Sequence, residues 1–254
     1  MLRGFYTAAS GVLMQQRKIN VLTNNIANAE TPGYRASRVV SSTFEQELMT
    51  RLEGSNTEHI GSTAQIQVVS EVPTRFDPSS LEETGRPMDL ALEGEGFFNV
   101  QAEDADGNAG QTYLTRNGDF ELDATGRLVL SGVGVVLGQK GAIQVGDSKF
   151  TVDADGSVYN SKGKYVDKLL VTIPPEDAKI SQQANGLYTT EDMQANLNTT
   201  STLVRQGVLE NSNIDLNREY TLVMEAQRAL QASSSALQII DGIDQKAAAQ
   251  IAAL

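Results

Sequence analysis

The sequence predicts an α+β fold in which long terminal α-helices pair as a coiled-coil stem, with an all-β, sandwich- or barrel-like domain inserted between them. Three observations carry this expectation. Apolar residues recur every seven positions near both ends of the chain. Turn signals follow one another at intervals of roughly 8–12 residues in the middle. The last stretch lacks helix breakers: no proline follows Pro175, and Gly242 is the only glycine after Gly207. The expected organisation is discontinuous, with residues 1–34 and 213–254 as the stem, 35–75 and 186–212 as a connector, and 76–185 as the β domain.

The first helix is read over Leu2 to Ala29. Phe5, Val12, Ile19 and Ile26 share one phase of the heptad, with Ala8 or Ala9 and Leu22 or Thr23 at the alternate positions. Such a helix is about 40 Å long. It must stop at Thr31-Pro32-Gly33-Tyr34, because proline then glycine suits the central positions of a type II turn. Gly33 supplies the positive φ that this turn requires, and Tyr34 either anchors the connector or packs in the stem. Asn24, Asn25 and Asn28 crowd the end of the helix. They either bond locally before the turn or fix register between chains, as a buried asparagine does in coiled coils.

The C-terminal helix is read from about 215 to 252, with Asp215 as its N-cap. Leu216, Val223, Leu230 and Leu237 keep the seven-residue step, and Gln227 lies in the second seam. A length of about 55 Å exceeds the usual helix of a globular domain and points to a coiled coil or bundle. The seam is rich in Ala, Ser and Gln, so the helix buries little apolar area per turn and needs close neighbours. Heptads do not identify the partner. On this pattern alone, Phe5, Val12, Ile19, Leu22 and Ile26 serve equally as the core of a monomeric bundle or as a contact between chains.

The middle reads as β. Met88, Leu90 and Leu92 alternate, as do Phe98 and Val100. Asn117-Gly118 signals a two-residue hairpin between Tyr113–Thr115 and Phe120–Leu122. Further turns are expected at Thr125-Gly126, Gly146-Asp147, Asp155-Gly156 and Lys162-Gly163, and Pro174-Pro175 ends the last clear strand.

Composition removes much chemistry. The 254 residues include no cysteine, no tryptophan and one histidine, His59, which sits in a polar connector as a surface residue. There is thus no disulfide, no thiolate nucleophile and no multi-histidine metal site. The net charge is −12, which argues against wrapping nucleic acid. Charge is unevenly placed. Residues 1–40 carry five Lys/Arg against one acid, a net of +4, and residues 81–130 carry eleven acids against three bases, a net of −8. No apolar run is long enough to span a membrane, and Met1 to Ser10 lacks the pattern of a cleavable secretory signal.

Site motifs fail on their spacing. Asp104, Asp106 and Asn108 start like a calcium loop, but its glycine position holds Ala109 and its twelfth position Thr115. Asp153-Ala154-Asp155-Gly156 breaks off early, and both segments read as turns. Gly163-Lys164 lacks the upstream glycine of a phosphate loop, Gly132-Val133-Gly134 is out of step with a dinucleotide fingerprint, and no Gly-x-Ser-x-Gly occurs. Glu93 and Glu95 flank Gly94 and are read as a solvated bulge. No catalytic residue, metal ligand or cofactor is expected.

Two groups of residues carry a resemblance. Asn24-Asn25-Ile26-Ala27-Asn28 followed by Thr31-Pro32-Gly33-Tyr34 resembles the N-terminal signature of the bacterial flagellar rod and hook proteins. Gly207–Asp215, then Glu219 and Ala226-Gln227-Arg228-Ala229, resembles their C-terminal signature. Leu92–Phe98 and Tyr113–Phe120 resemble motifs in the β domain of the rod proteins. Leu230 departs from the pattern, standing where the family often carries an aromatic residue.

The resemblance implies a non-enzymatic structural subunit of the flagellar basal-body rod. It implies export through the flagellar type III apparatus without a cleavable signal, and helical polymerisation into a hollow drive shaft for motility. Its implied partners are further copies of the chain, other rod and hook proteins and the export apparatus, with a bushing ring or peptidoglycan as candidates for the outer face. It assigns subunit contact to Phe5, Val12, Ile19, Leu22, Asn24, Asn25, Ile26, Asn28, Val223, Gln227, Leu230 and Leu237, and the turn after the first helix to Pro32, Gly33 and Tyr34. A hook-type subunit or assembly scaffold is the alternative. A cell-wall hydrolase using carboxylates such as Glu93, Glu95 and Asp119 has only the abundance of acids behind it.

Overall fold

Two helices lie at the ends of the chain, α1 over Leu2–Ala27 and α2 over Leu216–Ala252, with a β-rich region between them. The fold is therefore α+β. The computed structural model describes residues 2–44, 47–53, 56–63, 66–71, 79–103, 109–175, 180–190 and 202–252. The chain divides into two units, one of Met1–Ala27, Ser37–Arg75 and Asp215–Leu254, the other of Asn28–Ala36 and Phe76–Ile214.

In the first unit α1 packs on α2. A Cβ at Gly4 would stand 3.6 Å from Cδ1 of Ile240, and one at Gly11 would stand 3.3 Å from Oγ of Ser233. Asn25 Nδ2 donates to Glu219 Oε2 at 3.3 Å. Each step along α1 among these pairs is matched by an equal step back along α2, so the helices run antiparallel in a single register. The start of α2 is set by Asp215, whose Oδ1 accepts the N–H groups of Asn217 and Arg218 at 3.0 and 3.3 Å. That is the N-cap bonding expected from the sequence. Two antiparallel strand pairs complete this unit, Val40–Phe44 with Ile66–Glu71 and, nested within them, Glu47–Glu53 with Asn56–Thr63.

The second unit is built on a nine-stranded sheet. Its main path runs Ile180–Gln182, Leu187–Thr190, Ala109–Thr115, Phe97–Glu103, Gly134–Gly138, Leu128–Leu130, Phe120–Leu122. The strand Phe97–Glu103 shows why the sheet is two-sided. Phe98 and Val100 point into the main core with Leu90, Phe120, Leu128, Val136 and Leu169, where the Phe98 and Phe120 rings meet edge to face at 5.2 Å. Phe97 points the other way, onto Leu114 and Tyr188. A three-stranded meander of Thr151–Val152, Ser157–Tyr159 and Tyr165–Lys168 adds Val152 and Val158 to the main core.

Strands continue past Pro174-Pro175, contrary to the sequence reading. Leu187–Thr190 pairs with Ala109–Thr115, Leu203–Gln206 with Leu90–Glu93, and Val208–Glu210 with Leu81–Glu83. These late strands are only three or four residues long, too short to display a periodicity. Tyr188 and Val204 nonetheless bury their side chains in the two cores.

Asn117-Gly118 also does a different job from the hairpin expected. Ala109–Thr115 pairs with Phe97–Glu103, and Phe120–Leu122 pairs with Leu128–Leu130. The segment between them is a crossing point. The Gly118 carbonyl accepts the N–H of Leu90 at 3.0 Å, and a Cβ at Gly118 would collide with the Leu90 carbonyl. Glycine is needed here for close approach of two backbones. Gly118→Ala is expected to destabilise the second unit by about 2–4 kcal/mol, read as a fall in the denaturant midpoint, and an unchanged midpoint would contradict the crossing.

Candidate assembly site

The contact between the two helices of the first unit includes small and polar residues, and several of their large apolar residues stay in solvent. Gly4, Gly11 and Asn25 are among the α1 positions placed against α2. Phe5, Val12 and Ile26 follow these by one residue, and Ile19 keeps the same phase. Phe5 is exposed, and Val12, Ile19 and Ile26 are half-buried. On α2, Ala226 and Glu219 are buried, Val223, Leu230 and Leu237 are half-buried, and Gln227 is exposed. Further large apolar residues reach solvent. Tyr6 and Leu13 lie seven apart on α1, and Leu13 is 72% exposed. Leu216, Tyr220 and Met224 share a face of α2 at four-residue steps, and Ile239, 63% exposed, is followed one turn later by Ile243.

Leu22 and Asn25 are buried within the first unit. Asn25 is bonded inside the chain. Its Oδ1 accepts the Ser37 N–H at 3.1 Å, and its Nδ2 donates to the Ser37 carbonyl at 2.9 Å and to Glu219. It therefore satisfies both main-chain groups of Ser37 together with a buried carboxylate. Glu219 lies in the first turn of α2, where the helix dipole favours a negative charge. Asn24 is exposed, and Asn28 is half-buried, its carbonyl accepting the Thr31 N–H at 3.1 Å as the chain leaves α1.

The turn after α1 belongs to the second unit. The Tyr34 N–H closes Thr31–Tyr34 on the Thr31 carbonyl at 3.2 Å, with Pro32 half-buried and Gly33 at φ 67°. Two conditions select glycine at position 33: the left-handed backbone, and a backbone approach so close that a Cβ would strike the Arg116 carbonyl. Tyr34 is buried beside Gly186.

Directly after this turn the chain enters a buried ion triad. Arg35, 2% exposed, donates through Nη2 to Oε1 of Glu210, itself 4% exposed. Arg116 Nη1 stands 3.4 Å from the other carboxylate oxygen. The main chain ties the same segments together: Gly33 N–H donates to the Glu210 carbonyl at 2.7 Å, and Ala36 N–H to Asn213 Oδ1 at 2.8 Å. Two guanidinium groups share one carboxylate, so the second cation needs other acceptors. Arg116 finds them in the carbonyls of Leu92 at 3.2 Å and Gly94 at 2.5 Å, and it lies over the Phe97 ring at 5.6 Å.

Burial lowers the pKa of Arg116, with Glu210 opposing that shift, and the group stays charged because a guanidinium does not deprotonate in proteins. Burial pushes the Tyr188 phenol up, so it is neutral beside the two arginines.

Sequence reasoning missed Arg35, Arg116 and Glu210 as a set. The available signal was an ion of each sign embedded in a motif beside apolar residues, Leu114-Thr115-Arg116 and Val208-Leu209-Glu210. Proximity across such separations carries no local mark.

The carboxylates considered for hydrolysis are surface groups. Glu93 stands 3.9 Å from the half-exposed Arg205, Glu95 is exposed, and Asp119 accepts from Arg86 at 3.2 Å. They lie in solvent, without the water-excluded setting that acid–base pairs use. Asp155 is occupied by Ser157, whose N–H and hydroxyl lie at 3.0 and 2.9 Å from its carboxylate and hold that carboxyl below its usual range. Asp104, Asp106 and Asn108 lie outside the described residues, as does the side chain of His59. Among the described residues no cluster of acidic or histidine side chains suits a metal ion, and no helix is long and apolar enough to cross a membrane.

Three family models match along the chain. Residues 5–35 match the flagella basal body rod protein model, 91–148 the flagellar hook protein FlgE/F/G D1 domain, and 205–251 the flagellar basal body rod FlgEFG protein C-terminal model. Among curated proteins, the chain is 30% identical to the flagellar hook-basal body complex protein FlhO of Bacillus subtilis, covering 99% of both chains. It is 31% identical to the flagellar basal-body rod protein FlgG of the same organism, over 97% of this chain and 98% of the relative. It is 30% identical to the flagellar basal-body rod protein FlgF of Caulobacter vibrioides, over 90% and 89%.

Each of these matched segments contributes to the triad or its ties. Removing the shared carboxylate leaves two buried cations facing each other. Glu210→Gln is expected to lower the unfolding free energy of the second unit by about 3 kcal/mol, measured by urea denaturation, and a loss within the error of the fit would rule out a strained dependence on this group.

Proposed function

The chain belongs to the flagellar basal-body rod protein family, and we propose that it is a structural, non-enzymatic subunit of the flagellar rod. In this reading it leaves the cell through the flagellar type III export apparatus, polymerises helically with copies of itself beside other rod and hook proteins, and forms part of the hollow shaft that transmits rotation. Its location is the basal body.

The observation that supports this reading is the unburied apolar surface of the terminal helices. Tyr6 and Leu13 on α1, and Tyr220, Met224, Ile239 and Ile243 on α2, are all more than half exposed. Burying a large apolar side chain completely is worth about 1.5–3 kcal/mol. Such a set facing water is costly in a monomer and useful in a polymer, where neighbouring chains cover it. Val12, Ile19, Ile26, Val223, Leu230 and Leu237 are only half-buried, and in a polymer they extend the surface available to neighbours. The stem of the assembled subunit is then the paired helices. The absence of cysteine suits a chain threaded unfolded and folded after export.

Val12→Asp with Ile19→Asp is expected to abolish filament formation while leaving the second unit folded. Sedimentation and electron microscopy read assembly, and near-ultraviolet circular dichroism reads the fold. Normal filaments from the double variant would count decisively against helix-mediated polymerisation.

A further inference from the structure

The second unit carries a rigid cationic tip on a chain whose net charge is −12. The strands Ser157–Tyr159 and Tyr165–Lys168 are joined by a turn built on Asn160. Its Oδ1 accepts the backbone N–H groups of Lys162 and Lys164, each at 3.0 Å, and its carbonyl accepts that of Gly163 at 2.8 Å. Lys140 stands beside this tip, its backbone N–H held by Asp167 Oδ2 at 3.0 Å and its Nζ 5.2 Å from the centre of the Tyr165 ring. Tyr159 meets Tyr165 edge to face at 5.9 Å. Lys140, Lys162 and Lys164 are exposed, and among the described residues none of them is in an ion pair. The turn is ordered by bonds to Asn160 before any partner arrives, so docking would cost little loop entropy.

We propose that this tip docks on the Glu93-Gly94-Glu95 turn of a second copy of the chain, an inference that rests on the reading of the protein as a polymer subunit. The two motifs are opposite in sign and equal in spacing along the chain. Lys162 and Lys164 are two residues apart on one turn, and Glu93 and Glu95 are two residues apart on another. Glu93, Gly94 and Glu95 are all exposed, and the one ion-pair partner of this turn among the described residues is Arg205, 3.9 Å from Glu93. Copies that each carry −12 repel one another, so close packing needs local contacts of opposite sign. Such contacts fix register and suppress wrong pairings more than they add raw affinity.

The full-length chain assembled in vitro tests this by charge exchange. Lys162→Glu with Lys164→Glu, and separately Glu93→Lys with Glu95→Lys, should each lower the sedimentable fraction about tenfold, because like charges then face one another. Combining all four substitutions should restore assembly to near the wild-type level. The altered side chains are solvent-exposed and the hydrogen bonds that hold the two turns use main-chain groups of these residues and not their side chains, so thermal unfolding of each variant should match wild type. As a second arm, the neutral pair Lys162→Gln with Lys164→Gln should weaken the dependence of assembly on salt between about 0.05 and 0.5 M.

Wild-type assembly by either reversed pair, or no recovery in the combined variant, would overturn the contact while leaving helix-mediated polymerisation standing. Loss of binding to purified peptidoglycan by the lysine variant, with assembly unchanged, would overturn it in favour of a glycan partner. A wild-type chain that does not polymerise would overturn this inference and the function together.

Discussion

Two arginines and one glutamate are buried together in the second unit, and the arrangement around them is dictated by that constraint. A buried guanidinium is tolerable only with acceptors at its nitrogens. Arg35 depends on Glu210, while Arg116 uses Glu210 and the carbonyls of Leu92 and Gly94. Meeting those needs brings three distant segments together, 33–36, 92–94 with 116, and 210–213. Gly33 must then be glycine, since the main chain beside Arg35 runs against the Arg116 carbonyl. Glu210 is held at both its side chain and its carbonyl, so the charge and the backbone fix one geometry. The triad is thus a matter of specificity as much as of stability. Apolar residues of similar volume would fill the space without selecting which segments meet there.

The first unit obeys a different logic. Its helices approach through Gly4, Gly11, Ser233 and Ala226, with Asn25 and Glu219 as a buried polar pair near the end of α1. Small residues let the helices come close, and the asparagine, committed to both Ser37 and Glu219, specifies one register. Several larger apolar residues, Leu13, Tyr220, Met224 and Ile239 among them, are left facing solvent. That division of labour suits the proposed subunit, whose helices must hold one another loosely and still offer area to neighbours.

Much of this was legible in the sequence. The heptad spacing gave both helices, Asp215 gave the start of α2, and Thr31-Pro32-Gly33-Tyr34 gave the turn, because each of these signals is local. The closeness of the intrachain contact was not legible. Gly4 and Gly11 stand against Ile240 and Ser233, and a hydrophobic pattern gives glycine no weight. A pattern weighs side-chain size, whereas glycine marks where backbones can come close. Asn117-Gly118 misled for a related reason. Glycine was required there by the passing backbone of Leu90, and the same dipeptide is the strongest short hairpin signal. The triad was hidden because its members lie far apart in sequence and single buried charges look like surface charges.

The triad couples these segments energetically, beyond placing them side by side. A double-mutant cycle on Arg35→Met and Glu210→Leu, read by urea unfolding of the second unit, measures that coupling directly. The double variant should be more stable than the sum of the single losses implies, with an interaction energy of about 2–3 kcal/mol. Additive losses, within about 0.5 kcal/mol, would contradict it.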